Sequence, residues 1–171
     1  MKLWDIAMRT KVSTLAVSGD ASSLARMAFS PDDRTLATWG DPGTVRLWDV
    51  AMHAQIGAPI AAGSGQVYDV SFSPDGSTLA TAGADGMARL WDVASHAQIG
   101  PPITADPNQL YAAVFSPDGK TLATEGFQVA FWDVALPRNL AGSACAIAGR
   151  SITRSEWEIY VKSEPFQPVC S

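Results

Sequence analysis

Two histidines and two cysteines are the whole supply of soft metal ligands and strong nucleophiles in these 171 residues. A transition-metal site needs three or four such groups to converge. His53 and His96 stand in matching strings, Met52-His53-Ala54-Gln55-Ile56-Gly57 and Ser95-His96-Ala97-Gln98-Ile99-Gly100, with no third ligand close by. Equal surroundings put them at corresponding turns of neighbouring units, well apart, and no metal is expected. Cys145 and Cys170 are too few for a disulfide scaffold. They read as reduced thiols packed like small apolar groups, or as one disulfide fixing the tail. A nucleophilic cysteine wants a histidine or a cation beside it, and only Arg150 is near Cys145 in sequence.

The remaining candidates for chemistry are a glycine loop and a set of carboxylates. Gly63-Ser64-Gly65 lacks the following Lys-Ser/Thr pair and the helix that would present amides to a phosphate. Asp41, Asp49, Asp75, Asp85, Asp92 and Asp118 mostly recur at turn positions, where an aspartate bonds its own local backbone. Paired acid and base groups for catalysis do not emerge from that arrangement. The sequence therefore predicts a protein that is not an enzyme and that holds no cofactor.

Charge and hydropathy narrow the partners. Twelve Lys and Arg against 17 Asp and Glu give a formal charge of −5. With no basic run, the electrostatic footprint of a nucleic-acid binder is missing. A membrane span needs about 18 consecutive apolar residues, and the longest bland stretch, Leu140 to Gly149, is far shorter. Asp5, Arg9 and Lys11 interrupt any secretory core at the N-terminus. Nucleic acid and membrane are thus not expected as partners, and a cytoplasmic location is.

The elements that hold these residues are set by an internal repeat, which is sought before local structure because it changes the meaning of every motif inside it. Phe-Ser-Pro-Asp begins at Phe29, Phe72 and Phe115, each time followed by Thr-Leu-Ala-Thr, with a period of 43 residues. A second marker, Trp-Asp followed by Val or Ile, occurs at Trp4, Trp48, Trp91 and Trp132. Between the markers, short runs of β-branched, aromatic and small apolar residues alternate with Pro, Asp and Gly, the pattern of strands joined by tight turns. In the second unit the strands are predicted at about Val67 to Ser73, Thr78 to Ala82, Met87 to Asp92 and Gln98 to Thr104. Before the first unit, Lys2 to Ile6 and roughly Val12 to Val17 read as two more strands.

Ser73-Pro74-Asp75-Gly76 supplies a proline to open a turn, an aspartate to bond local backbone and a glycine for positive φ. Asp85-Gly86 suits a tight turn between second and third strands. In the first unit Asp32 is expected to stand where the glycine was, in a left-handed or bulged conformation. In the third unit Thr124 and Trp132 are eight residues apart rather than ten, so the Asp-Gly turn is lost and this unit should be the least regular.

Period, Phe-Ser-Pro-Asp turn, Leu-Ala-Thr strand and terminal Leu47-Trp48-Asp49 or Leu90-Trp91-Asp92 together resemble the WD-repeat family of β-propellers over residues 1 to about 135. The resemblance implies four-stranded antiparallel blades, of which rings carry about 4 to 8. It also implies a side-chain network of which Thr38, Asp41 and Trp48, then Thr81, Asp85 and Trp91, and finally Thr124 and Trp132 would be members. The Gly-His of the family pattern reads Gly63-Ser64-Gly65-Gln66 instead, leaving that network incomplete. The expected fold is all-β: about three and a half four-stranded antiparallel blades in residues 1–135, with a short helical segment in 136–171. A seven-bladed ring at this period would need roughly 300 residues. The chain is therefore expected to be part of a longer protein or to complete a ring with a second copy.

Beyond Val134 the repeat stops. Asn139 to Gly149 has the apolar spacing of a short helix, and Thr153 with Glu156 forms a capping box ahead of Trp157, Tyr160 and Val161. This tail resembles the C-terminal segment of bacterial multidomain NACHT-type signalling proteins. That likeness implies company for the chain and no chemistry of its own.

Trp39, Ala82 and Glu125 are repeat-equivalent and lie at one end of the strands, with the equivalent pair Tyr68 and Tyr111 near them. A fixed frame with varied residues suits a surface that reads partners, and packing between blades is the other reading of Trp39 and the two tyrosines. The function expected is a non-catalytic interaction scaffold or sensing module binding proteins or peptides at the blade-end loops. The alternative is a structural or autoinhibitory segment of a larger bacterial signalling NTPase. Its partners would be the upstream blades and domains of the same protein.

Overall fold

The computed structural model describes residues 2–5, 9–14 and 26–135. The chain divides into two compact units, Met1–Val134 and Ala135–Ser171. The two helices expected in the tail, the expected capping box, Cys145 and Cys170 all fall outside the described residues.

Every element among the described residues is a strand. A two-stranded sheet pairs β1 (Lys2–Asp5) with β2 (Thr10–Thr14). The first four-stranded sheet follows in the order β3 (Arg26–Phe29), β4 (Thr35–Trp39), β5 (Thr44–Asp49) and β6 (Ala54–Ala61). The second repeats it with β7 (Val67–Phe72), β8 (Thr78–Gly83), β9 (Met87–Asp92) and β10 (Gln98–Thr104). The third has three strands among the described residues: β11 (Ala112–Phe115), β12 (Thr121–Glu125) and β13 (Val129–Asp133). All neighbours are antiparallel, so each sheet is an up-and-down meander. The strands predicted for the second unit stand where they were expected, and of the early pair residues 2–5 and 10–14 are described as strands, while the rest of the expected second strand, 15–17, lies outside the described residues.

Alternation along each strand decides what touches what. On one face of the first sheet, Ala37, Trp39, Val45 and Leu47 pack against Val67, Val70, Leu79 and Trp91 of the second. The second sheet then turns its other face, with Ala80, Ala82, Ala88 and Leu90, to Leu110, Ala113, Leu122 and Trp132 of the third. Each such leucine or valine, withdrawn from water, contributes about 1.5–3 kcal/mol. The third sheet repeats the outward-turning face once more. Val114 pairs Ala123 and Ala123 pairs Phe131, while Ala112, Glu125 and Val129 form the next row. Here no described sheet packs over it: Val114, Val129 and Phe131 are 52%, 62% and 73% exposed.

One end of the sheets is built by the Ser-Pro-Asp turns. In each, the serine hydroxyl accepts the first amide of the next strand and donates to an aspartate two residues on: Ser30 to Asp32, Ser73 to Asp75, Ser116 to Asp118. The same carboxylate oxygen accepts the amide two residues on, from Arg34, Ser77 and Lys120. These donors hold the three carboxyls below the usual carboxylate range, the serine hydroxyl being the largest cause in each. The residue that needs a left-handed backbone is the following one: Gly76 at φ 74°, Gly119 at 70° and, in the first sheet, Asp33 at 60°. The expectation for Asp32 was one residue out of register. Asp32 is the capping carboxylate, and Asp33 takes the glycine position, where aspartate tolerates positive φ better than most residues.

Candidate functional site

The opposite end collects the β4–β5, β8–β9 and β12–β13 turns and the chain segments entering β7 and β11. Backbone bonds knit these together: Ala62 N donates to Gly43 O, Ala84 N to Gln66 O and Leu110 N to Gly83 O. All four residues expected to contact a partner, Trp39, Tyr68, Tyr111 and Glu125, are at this end.

The structure treats the four differently. Trp39 is buried, 5% exposed, within the core between the first two sheets. Tyr68 lies in a bulge of β7, where Asp69 and not Tyr68 faces Ala82 across the ladder. A bulged carbonyl turns away from its own sheet, and the Tyr68 carbonyl accepts from Arg26 Nη1 at 2.6 Å and from Trp39 Nε1 at 3.4 Å. The Tyr68 ring stacks on Tyr111, with centroids 5.6 Å apart and planes 28° from parallel. Its hydroxyl donates to Gln109 Oε1 at 3.4 Å. Tyr111 keeps 52% of its surface in water. Glu125 is exposed and belongs to the uncovered face of the third sheet.

Beneath these residues the three Trp-Thr pairs act as struts. Trp48, Trp91 and Trp132 each donate the indole N–H to the hydroxyl of Thr38, Thr81 and Thr124, at 2.9, 3.1 and 2.9 Å. The aspartates expected in the same network are engaged elsewhere. Asp41 and Asp85 form ion pairs with Arg46 and Arg89. The reason is geometric: each arginine follows its aspartate by five or four residues across a tight turn, which returns its guanidinium to the carboxylate.

The third sheet lacks this pair, since Ala130 stands where Arg89 would be. Asp106 does the work instead, from a position that is Gly63 one repeat earlier. It is 6% exposed, and one of its oxygens accepts from Phe127 N at 2.8 Å. Its other oxygen accepts from Asn108 N and Gln109 N. These backbone donors, Asn108 first, lower its pKa from the usual 3.8. Glycine at 63 and at 126 is required by the same exchange. A side chain at Gly63 would meet the Arg89–Asp85 pair, and one at Gly126 would meet Asp106.

Sequence reasoning passed over Asp106, Arg26 and Asp69. Asp106 has no repeat counterpart, and Arg26 and Asp69 differ in kind at one shared repeat position, so no recurring motif marked them. Asp69 Oδ2 accepts from Ala113 N at 3.1 Å and Ser71 donates to Ala113 O at 2.7 Å, tying the second sheet to the third. The histidines stand in separate turns, His53 between β5 and β6 and His96 between β9 and β10. Both occupy left-handed turn positions, at φ 54° and 60°. His96 lies against Gly57, with Nδ1 2.8 Å from Ala58 O, and so links the outer strands of neighbouring sheets. Among the described residues no cluster of three His, Cys, Asp or Glu side chains is placed to hold a metal ion, and no helix is long and apolar enough to cross a membrane.

Comparison with known proteins agrees with this architecture. The family model "WD domain, G-beta repeat" matches residues 9–49 and 57–92. These spans contain β2, β3, β4, β5, β7, β8 and β9. A chain of the solved structure titled "Crystal Structure of Mitotic Checkpoint Complex" superposes with a TM-score of 0.68 at 25% identity. The match covers 78% of this chain and 41% of that one, so the present chain spans about two fifths of its solved counterpart. No curated protein matches.

Proposed function

We propose that this chain is a non-catalytic interaction module that binds protein or peptide partners at the sheet end bearing Tyr68, Tyr111 and Glu125. The observation that carries this reading is the Tyr68–Tyr111 stack, a rigid aromatic step with Tyr111 half in water on a frame fixed by the Trp-Thr struts. Exposed aromatics held without conformational freedom are efficient contact residues. Trp39 serves from below, by holding the Tyr68 carbonyl, and contributes position rather than contact. The carboxylates described above already serve turns, amides and arginines, which leaves a surface suited to reversible association without bond chemistry. That the solved counterpart belongs to a multiprotein complex is in keeping with such a role.

Pull-down from a cell extract, with Tyr111→Ser and Glu125→Arg beside the unaltered chain, tests the reading. Bands lost with either change support it, and identical bands overturn it. Trp39 is unsuited to this test because its removal opens a core cavity.

A second reading is favoured by the open face of the third sheet. Val114, Val129 and Phe131 stand where Ser71, Ala88 and Leu90 contact the next sheet. A further blade, from upstream sequence or from a second copy, would cover them. In this reading the chain is a structural or autoinhibitory part of a larger assembly, such as the NACHT-type proteins its tail resembles. Association only with an upstream fragment, abolished by Phe131→Asp, would favour it.

A further inference from the structure

We infer that the junction between the second and third sheets is a subsite for an arginine side chain of a peptide partner, formed by Asp69, Tyr111 and the Tyr111 carbonyl. The inference deepens the proposed function and rests on it.

The argument comes from comparing two equivalent junctions in one chain. At the first, Tyr68 is reached by two groups of the preceding sheet, Arg26 and Trp39, both of which donate to its carbonyl. At the second, Tyr111 is the equivalent tyrosine, and the equivalent neighbours are Asp69 and Ala82. The cation has become an anion and the indole a methyl group. Among the described residues no side chain donates to the Tyr111 carbonyl, and Tyr111 is 52% exposed where Tyr68 is only partly so.

The first junction therefore shows which chemistry satisfies this place: a guanidinium donating to the tyrosine carbonyl. The second junction lacks that group and adds a carboxylate. Asp69 Oδ2 is held by Ala113 N, which fixes the carboxylate and leaves Oδ1 for a second donor. A guanidinium suits the combination better than an ammonium. Its planar fork serves a carboxylate and a carbonyl together while its face rests on a tyrosine ring. Leu110 and Ala82, each 1% exposed, belong to the apolar core that joins these two sheets. The chain's charge of −5 favours the approach of a basic partner.

Fluorescence anisotropy with the full chain and a labelled peptide Gly-Ser-Arg-Ser-Gly, against the same peptide with Gln for Arg, tests this directly. The arginine peptide should bind, and the glutamine peptide should bind more weakly. Asp69→Asn keeps an oxygen for Ala113 N while removing the charge, and should weaken the arginine peptide about 3- to 5-fold, as for a partly exposed ion pair. Tyr111→Ser should weaken it about as much, and Met52→Gln, 76% exposed in the β5–β6 turn at the opposite end of the sheets, should not. Unchanged thermal melting of Asp69→Asn shows that the loss is local. Equal binding of the two peptides, no binding of either, or indifference to Asp69→Asn overturns the assignment. If the pull-down still depends on Tyr111, only the arginine subsite fails; if that dependence is missing too, both readings fail.

Discussion

Leu47, Leu90 and Phe131 occupy one repeat position in three successive sheets, yet they are 0%, 8% and 73% exposed. The residue type barely changes; the neighbour does. In the first two sheets an apolar side chain at this position meets the leucines and tryptophan of the next sheet, whereas in the third it meets water. A repeated sheet of this kind has no core of its own. Its stability comes from the junctions, as expected when each unit contacts only its neighbours. The same sequence signal thus means core at one place and contact surface at another.

The largest effect that could break this comparison comes from the junction core. Leu79→Ala removes a fully buried side chain between the first two sheets and should cost about 2–5 kcal/mol in urea unfolding. Phe131→Ser should stay within about 0.5 kcal/mol. Equal losses at the two sites would mean that the third face is covered after all.

A smaller effect separates the struts. Trp91→Phe leaves the buried Thr81 hydroxyl without its indole partner and should cost about 1–3 kcal/mol. Trp132→Phe makes the same change on the half-buried strut and should cost less, by the same measurement. At the rim the comparison shrinks again. His96→Asn keeps a residue that accepts positive φ but loses the link to Ala58, for about 0.5–1.5 kcal/mol. His53→Asn, at a turn with no such bond among the described residues, should leave the melting temperature unchanged.

Much of this arrangement is legible in the residues themselves. The recurring Phe-Ser-Pro-Asp and Trp-Asp strings fix where strands begin and end, because each string is a turn or an alternating strand whose physics is local. The Trp-Thr pairs are equally readable, lying ten or eight residues apart across one hairpin. What escapes is whatever depends on a neighbour. The family resemblance places Asp41 and Asp85 in the tryptophan network, yet their arginines lie just across the turn. Asp106 stands in for an ion pair that the third sheet has lost. Trp39 and Tyr111, both marked as partner contacts, part company because one has a sheet over it and the other does not.

The smallest expected effect should be alike in covered and open sheets, since it belongs to turns. Asp32, Asp75 and Asp118 have folded-state pKa values lowered from 3.8 by serine and backbone donors. Their contribution is complete above the unfolded-state value and is lost as pH falls below about 4 through the folded-state values. Melting temperature should decline over that acid range, and Asp75→Asn and Asp118→Asn should each flatten the decline to a similar degree. A difference between them would tie the turns to the junctions.

The most direct measurement is carbene footprinting of the dilute, full-length chain, comparing peptides that contain Met87–Asp92 and Val129–Asp133. The stacked-sheet account predicts heavy labelling of Val129 and Phe131 with little on Ala88 and Leu90. Equal labelling of the two strands would contradict it.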